Sequence, residues 1–259
     1  MQEQKKVLVT GATGDIGCEI VRLLLTAGYF LIAHGRSLEV LKKKFLDIES
    51  NMLSIVVGDL ASREGRRSII KQLCTDYNDI DVLINCAGGA GEHQTWWNTS
   101  EDKWNDVFQL NVLGTAELCQ TVSKGMMERG WGRIINIASV AAFRPLEIGP
   151  EYASAKAAVI ALTVSLAKAC GSQGVTVNSI SPGLVLTQAV KEIIDRKSSQ
   201  CMYTDADYHK YASENLFVCL TGRLTEVKQI AETVRFLLSD AASNITAQDI
   251  VLDGGYLSI

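Results

Sequence analysis

Seven short runs rich in β-branched and apolar residues, at 7–9, 29–34, 53–57, 82–84, 133–138, 176–180 and 250–252, recur along the chain with helix-length stretches between them. Runs that are apolar on both faces must be covered on both. The stretches at 16–27, 38–48, 66–77, 101–127, 151–170 and 227–238 are long and amphipathic enough to be the covering helices. Connections of that length pair consecutive strands in parallel, and right-handed crossovers place helices on both sides of the sheet. The expected fold class is therefore α/β: a doubly wound sheet of seven mainly parallel strands with helices on both faces.

One region breaks the rhythm. Residues 184–222 are polar and aromatic, hold Tyr203, Tyr208, Tyr211 and Phe217, and read as one or two short helices forming a lid. With only Pro145, Pro150 and Pro182 as prolines and no linker-like tract, residues 1–259 read as a single domain carrying that insertion. The chain is 47% apolar, enough for a sizeable core, and 25 Lys+Arg against 29 Asp+Glu give a formal charge of −4. A mildly acidic surface disfavours a nucleic-acid partner. The seven cysteines occur singly with no CxxC pair, which suits a reducing compartment and buried apolar roles. His34, His93 and His209 lie far apart, so no metal site is expected. Only three apolar residues separate Lys6 from Thr10, and the longest apolar stretch, 157–167, is shorter than a bilayer crossing. A soluble cytoplasmic protein with no membrane partner is expected.

The first run leads into Thr10-Gly11-Ala12-Thr13-Gly14-Asp15-Ile16-Gly17 and then into a helix. Glycines allow the tight turn and the close approach of a pyrophosphate, and the helix start offers free N–H groups to it. Strand before and helix after is the setting this motif requires, so the sheet is expected to be Rossmann-like and to bind a dinucleotide. The second strand ends at His34-Gly35-Arg36-Ser37. An acid there would select NAD, whereas Arg36 accommodates the 2′-phosphate of NADP(H); NAD(H) is the lesser expectation. A solvated surface charge is the plain alternative for Arg36.

Tyr152 and Lys156 open an Ala-rich helix behind Pro150 and, four residues apart, share a face. An ammonium beside a phenol favours phenolate and makes the pair a plausible acid/base near neutrality. Ser139 ends the fifth run, at the strand ends where open α/β sheets bind ligands, and could hold a carbonyl oxygen.

Over nearly its whole length the sequence resembles the compact, single-domain branch of the short-chain dehydrogenases/reductases. The likeness rests on TGATGDIG, Gly58-Asp59-Leu60, Asn85-Cys86-Ala87-Gly88, Asn111 in LNVLG, GRIINIAS, YASAK, Pro182-Gly183 with Thr187, and Asp253-Gly254-Gly255. It implies a catalytic tetrad of Asn111, Ser139, Tyr152 and Lys156. Tyr152 would exchange the proton and Ser139 would bind the substrate oxygen. Lys156 would lower the Tyr152 pKa and bind the nicotinamide ribose, and Asn111 would hold a water leading to Lys156. It also implies cofactor contacts from Gly11, Thr13, Gly14, Asp15, Ile16, Gly17, Gly35, Arg36, Ser37, Asp59, Leu60, Asn85, Ala87, Gly88, Tyr152, Lys156, Pro182, Gly183, Val185 and Thr187. The structural alternatives are that Asp59 caps the next helix and that Pro182-Gly183 only turns the chain. Asp15 departs from the compact branch, where a glycine is usual; a carboxylate there is unfavourable to a pyrophosphate unless it points away, for instance as a helix cap. Gly14 stands where a basic residue is common in NADP-dependent members, and Cys86 where asparagine is common.

The resemblance implies hydride transfer between a nicotinamide and a ketone or secondary alcohol. Trp96, Trp97, Val140, Phe143, Arg144, Tyr203 and Tyr208 are the expected substrate-pocket residues, Arg144 being suited to a carboxylate. A 3-oxoacyl-thioester ketoreductase is the alternative, with Arg129 and Arg133 as basic residues near the mouth of the site. More remote are a non-redox epimerase or dehydratase, hinted at by the spacing of Gly11, Gly14 and Gly17, and a catalytically silent cofactor-binding protein. The epimerases carry a further C-terminal substrate domain, whereas this chain ends four residues after Gly255. The helices at 101–127 and 151–170 resemble those through which relatives form dimers and tetramers, so a homo-oligomer is expected.

Overall fold

The computed structural model describes residues 4–48, 51–77, 79–89, 91–198 and 204–259. Seven strands, β1 (Lys6–Val9), β2 (Phe30–Gly35), β3 (Leu53–Val57), β4 (Val82–Asn85), β5 (Gly132–Ile137), β6 (Val175–Pro182) and β7 (Asp249–Leu252), form one sheet. Its order is β3-β2-β1-β4-β5-β6-β7, and every neighbouring pair is parallel. The sheet is thus wholly parallel, and the progression of strand order reverses between β1 and β4.

The alternation along each strand sorts the core into two layers. Val7 and Val9 of β1, with Leu31, Val82, Ile84 and Ile135, pack under α1 (Asp15–Thr26), α2 (Leu38–Lys44) and α9 (Val227–Leu238). Leu8, with Ile32, Leu83 and Ile134, packs under α3 (Arg63–Asp76), α5 (Gly114–Glu128) and α6 (Pro150–Cys170). Ile20, Leu24, Leu118 and Met126 are among the fully buried side chains that the helices contribute.

Helix ends follow local chemistry rather than apolar periodicity. Ser62 accepts from Gly65 N and starts α3 three residues before the expected Arg66. The stretch at 101–127 is not one regular α-helix: α4 (Glu101–Phe108) passes through a π-helical turn at Gln109–Leu113 before α5 continues the axis. Such a turn inserts one extra residue per revolution and is invisible to a pattern of apolar spacing.

The segment at 184–222 contains α7 (Gln188–Lys197) and α8 (Asp205–Asn215). A third apolar cluster, including Val140, Ile194, Ala212 and Phe217, seats them on the end of the sheet. By length and composition α6 and the turn after it, Pro150–Gln173, could cross a membrane, which the shorter run at 157–167 did not suggest. The helix belongs to the core instead: Ala155, Val159 and Thr163 are buried, and Thr163 Oγ1 accepts from Asn136 Nδ2 at 2.8 Å.

Candidate active site

Where the strand order reverses, a cleft of about 790 Å³ opens at the C-terminal ends of β1, β2 and β4. It is lined by Gly11, Thr13, Gly14, Asp15, Ile16, Gly17, Gly35, Arg36, Asp59, Leu60, Ala87, Gly88 and Thr187 from among the expected cofactor residues. The loop after β1 has no room for side chains at two of its glycines. Gly11 has φ +64, and a Cβ on it would lie 2.8 Å from the Ala87 backbone; one on Gly17 would run into the Gly11 carbonyl. Thr10 Oγ1 accepts from Cys86 N at 3.1 Å and Ala87 N at 3.0 Å, fastening this loop to the one after β4.

The remaining expected cofactor residues sort by where their side chains go. Arg36 is exposed at the rim and makes no hydrogen bond or ion pair among the described residues. Ser37 caps α2 by accepting from Val40 N at 3.4 Å. Asp59 accepts from Ala61 N, and Ser62 rather than Asp59 caps α3. The side chain of Asn85 is turned into the core instead of the cleft, donating to Asn136 Oδ1 at 2.8 Å, because that inner position of β4 faces the Asn136–Thr163 hydrogen-bond chain. Pro182 ends β6, and it, Gly183 and Val185 lie outside the cleft lining, with Gly183 packed on the Phe217 ring. Asp15 does point out of the loop, yet it does not cap its own helix; its Oδ2 accepts from Gln188 N at 3.1 Å. Tight glycines, a helix start free of side-chain caps, an unpartnered guanidinium at the rim and an opening of ligand size suit a phosphorylated dinucleotide.

Beside this cleft the four expected catalytic residues converge. Gly149, at φ +69, and Pro150 in the first turn fix the start of α6, placing Tyr152 third in the helix. Ser139 caps the short turn after β5 by accepting from Ala141 N at 3.2 Å, and its side chain comes close enough to the Tyr152 phenol to favour the phenolate. Lys156 Nζ donates to Ile137 O at 2.8 Å and lies 5.6 Å from the Tyr152 ring centre. Asn111 sits in the π turn, where its Nδ2 donates to Gly89 O and Val107 O, each at 2.9 Å, and its Oδ1 accepts from Gly89 N at 3.1 Å. Gly88 is the seam of the group: a Cβ there would lie 2.7 Å from Asn111 Oδ1 and 2.9 Å from Lys156 Nζ.

Burial governs both titrating groups. It lowers the Lys156 ammonium to about 8. It also raises the Tyr152 phenol above its usual 10, the neighbouring Ser139 side chain opposing it. The expected lowering of Tyr152 by Lys156 is absent from the protein alone, since the ammonium is directed at the Ile137 carbonyl. At neutral pH the phenol is protonated and able to give a proton to an oxygen held between it and Ser139.

The family model for short chain dehydrogenases matches residues 5–198. The chain belongs to the short-chain dehydrogenase family. A 3-oxoacyl-[acyl-carrier-protein] reductase of Haemophilus influenzae is 31% identical over 98% of this chain and 99% of its own. An L-xylulose reductase of Caenorhabditis elegans is 33% identical over 97% of this chain and 95% of its own. Among solved structures, ElxO with NADP bound superposes with a TM-score of 0.85 at 25% identity, covering 99% of this chain and 100% of that one.

In this short-chain dehydrogenase the expected substrate wall is dispersed. Trp97 is 90% exposed, while Trp96 packs edge-on against Trp104. Val140 is buried beneath α7 and α8, and Phe143 is half exposed. Arg144 is not free for a carboxylate: it donates to Tyr256 O and Ile259 O and stacks over the Tyr256 ring. Tyr208 donates to Asp195 within the α7–α8 pair, and Tyr203 lies outside the described residues. Arg129 and Arg133 flank the start of β5, the end of the sheet opposite the site. Arg129 pairs with Asp79 and Asp81 there, and Arg133 lies over the Trp131 ring. Within one chain neither lies beside the catalytic residues.

Sequence reasoning missed two contributions. Lys103, Asp106, Val107 and Leu110 line the cleft along one face of α4 and the π turn; their helical spacing was visible, but two charges made it resemble a solvated face. His93 stands edge-on to Tyr152, ring centres 6.3 Å apart, because Gly149 offers no side chain to displace it. Nothing local in the sequence signals that long-range contact.

Proposed function

We propose that this dehydrogenase reduces a free small-molecule ketone with NADPH, or oxidises the corresponding secondary alcohol, using Tyr152 as the proton donor or acceptor. The observation that carries the reading is the meeting of Tyr152, Ser139 and Lys156 at the end of β5, beside a glycine-lined cleft with Arg36 at its rim. When bound, the nicotinamide supplies or accepts the hydride. Gly11 to Gly17 would hold the pyrophosphate, Arg36 the 2′-phosphate, Asp59 and Leu60 the adenine side, and Lys156 the ribose. Ser139 and Tyr152 orient the carbonyl oxygen, and Tyr152 gives it the proton. Asn111 fixes the loop that carries Gly88 and so the depth of the site next to Lys156.

The expected test is that Tyr152→Phe loses NADPH-consuming turnover by at least a hundredfold while still binding NADPH, followed by fluorescence titration. Unchanged turnover would remove the mechanism. The resemblance to 3-oxoacyl-[acyl-carrier-protein] reductases along the whole chain favours a second reading, a carrier-bound 3-oxoacyl thioester. The positions of Arg129 and Arg133 weigh against it. Comparing kcat/KM for a carrier-bound 3-oxoacyl thioester and a free ketone of similar length decides between them. A homo-oligomer belongs to the same reading: Leu113, exposed between α4 and α5, lies on the helices expected to form the contact. Light scattering giving the mass of one chain would contradict it.

A further inference from the structure

Asp15 places a carboxylate in a loop whose neighbouring amides suit phosphate, and both of its oxygens are engaged away from that loop. Oδ2 accepts from the backbone N–H of Gln188, the first residue of α7, at 3.1 Å, and Oδ1 lies 3.9 Å from Lys44 Nζ. Thr187, just before, caps α7 with its own Oγ1 on Val190 N and lines the cleft itself. The start of α7 is therefore held by two oxygens, one from its own chain segment and one from the far wall of the cleft. The lysine and the positive ends of α1 and α7 together offset the carboxylate charge. A glycine at this position could do none of this.

We infer that Asp15 is a positioning residue that ties α7 to the glycine loop across the cofactor cleft and so sets the rate at which the nicotinamide dinucleotide enters and leaves. The inference rests on the cofactor reading above. The bond is charge-assisted but partly exposed, with Asp15 36% accessible, so it is a latch that opens readily rather than a fixed strut.

Two variants cut the bond from opposite sides. Asp15→Gly removes the acceptor. Gln188→Pro removes the donated N–H without straining the backbone, because proline suits the first position of a helix and Thr187 before it is already extended, at φ −99 and ψ 166. It also loses the bond from Gln188 Nε2 to Glu192 Oε1 at 3.4 Å, so Gln188→Ala, which loses that bond but keeps the N–H, is the control and is expected to behave as the wild type. In Asp15→Gly and in Gln188→Pro, NADPH release followed by stopped-flow fluorescence is expected to quicken at least threefold, and amides 192–196 of α7 to exchange faster in the cofactor-free protein. The double variant should be no faster than either single one. Unchanged α7 exchange and release in Gln188→Pro, or effects that simply add, would overturn the tether. Should the wild type fail to bind NADPH, the cofactor reading falls, and the exchange of α7 still decides whether Asp15 holds it.

Discussion

In the proposed reaction Lys156 acts as a cation beside a phenol and a ribose, yet its surroundings oppose that charge. Burial brings its ammonium to about 8, so it is protonated at neutral pH and loses its proton as the pH rises through that value. The Tyr152 phenol, pushed upward, stays protonated over the same interval. The rate of carbonyl reduction should therefore fall above about pH 8 through Lys156 rather than Tyr152. Lys156→Arg keeps a charge that does not titrate there. It should be at least tenfold slower because a guanidinium cannot repeat the compact contact with Ile137 O, but its alkaline limb should disappear from the pH profile of kcat/KM. His34 poses the opposite problem for stability. Its Nε2 meets Gly58 O, its Nδ1 has no partner among the described residues, and burial lowers it from 6.5 to about 4. Between those values the unfolded chain takes up a proton that the folded one refuses, so stability falls as the pH drops from 6.5 towards 4. The full penalty is on the order of 3 kcal/mol. Thermal melts at pH 7 and 4.5 should show the loss, and His34→Gln should show a smaller one.

At the scale of elements, the π turn does what a regular helix could not. It brings Asn111 into three hydrogen bonds with Gly89 and Val107 and presents Leu110 to the cleft. Asn111→Ala leaves the Gly89 amide and carbonyl without their partner, and should cost about 2 kcal/mol in a denaturant titration while reducing turnover. This element also shows what could be read in advance. Strands such as β1 and β4 announce themselves because both faces are apolar, and the glycine loop, Tyr152 and Lys156 because short motifs encode local geometry. Asn111 was legible as a residue and illegible as a turn, since apolar spacing at 101–127 is nearly the same with one extra residue inserted. His93 against Tyr152 and Arg144 against Tyr256 O are contacts between distant segments, which no local pattern carries. The resemblance offered Arg129 and Arg133 for a basic mouth, and only the fold shows that they flank the start of β5, away from Ser139.

For the whole molecule, ligand binding and stability are one equilibrium. A cofactor at a hundred times its Kd stabilises the fold by about 2.7 kcal/mol. NADPH is expected to raise the melting temperature more than NADH at equal concentration, and Arg36→Ala to abolish the difference. Equal shifts in the unaltered protein would remove the role given to Arg36. The wholly parallel sheet has a further consequence, for how the chain reaches this state. No two strands can join through a hairpin. Val7 must find Val82, and Ser179 must find Asp249, across long intervening chain. The central β1–β4 pair, which forms the floor of the cleft, cannot exist until β4 has been made. During synthesis the glycine loop thus emerges early and waits, exposed, for its other wall. Refolding should accordingly be slow and pass through a partly collapsed state, with the ability to bind cofactor returning last.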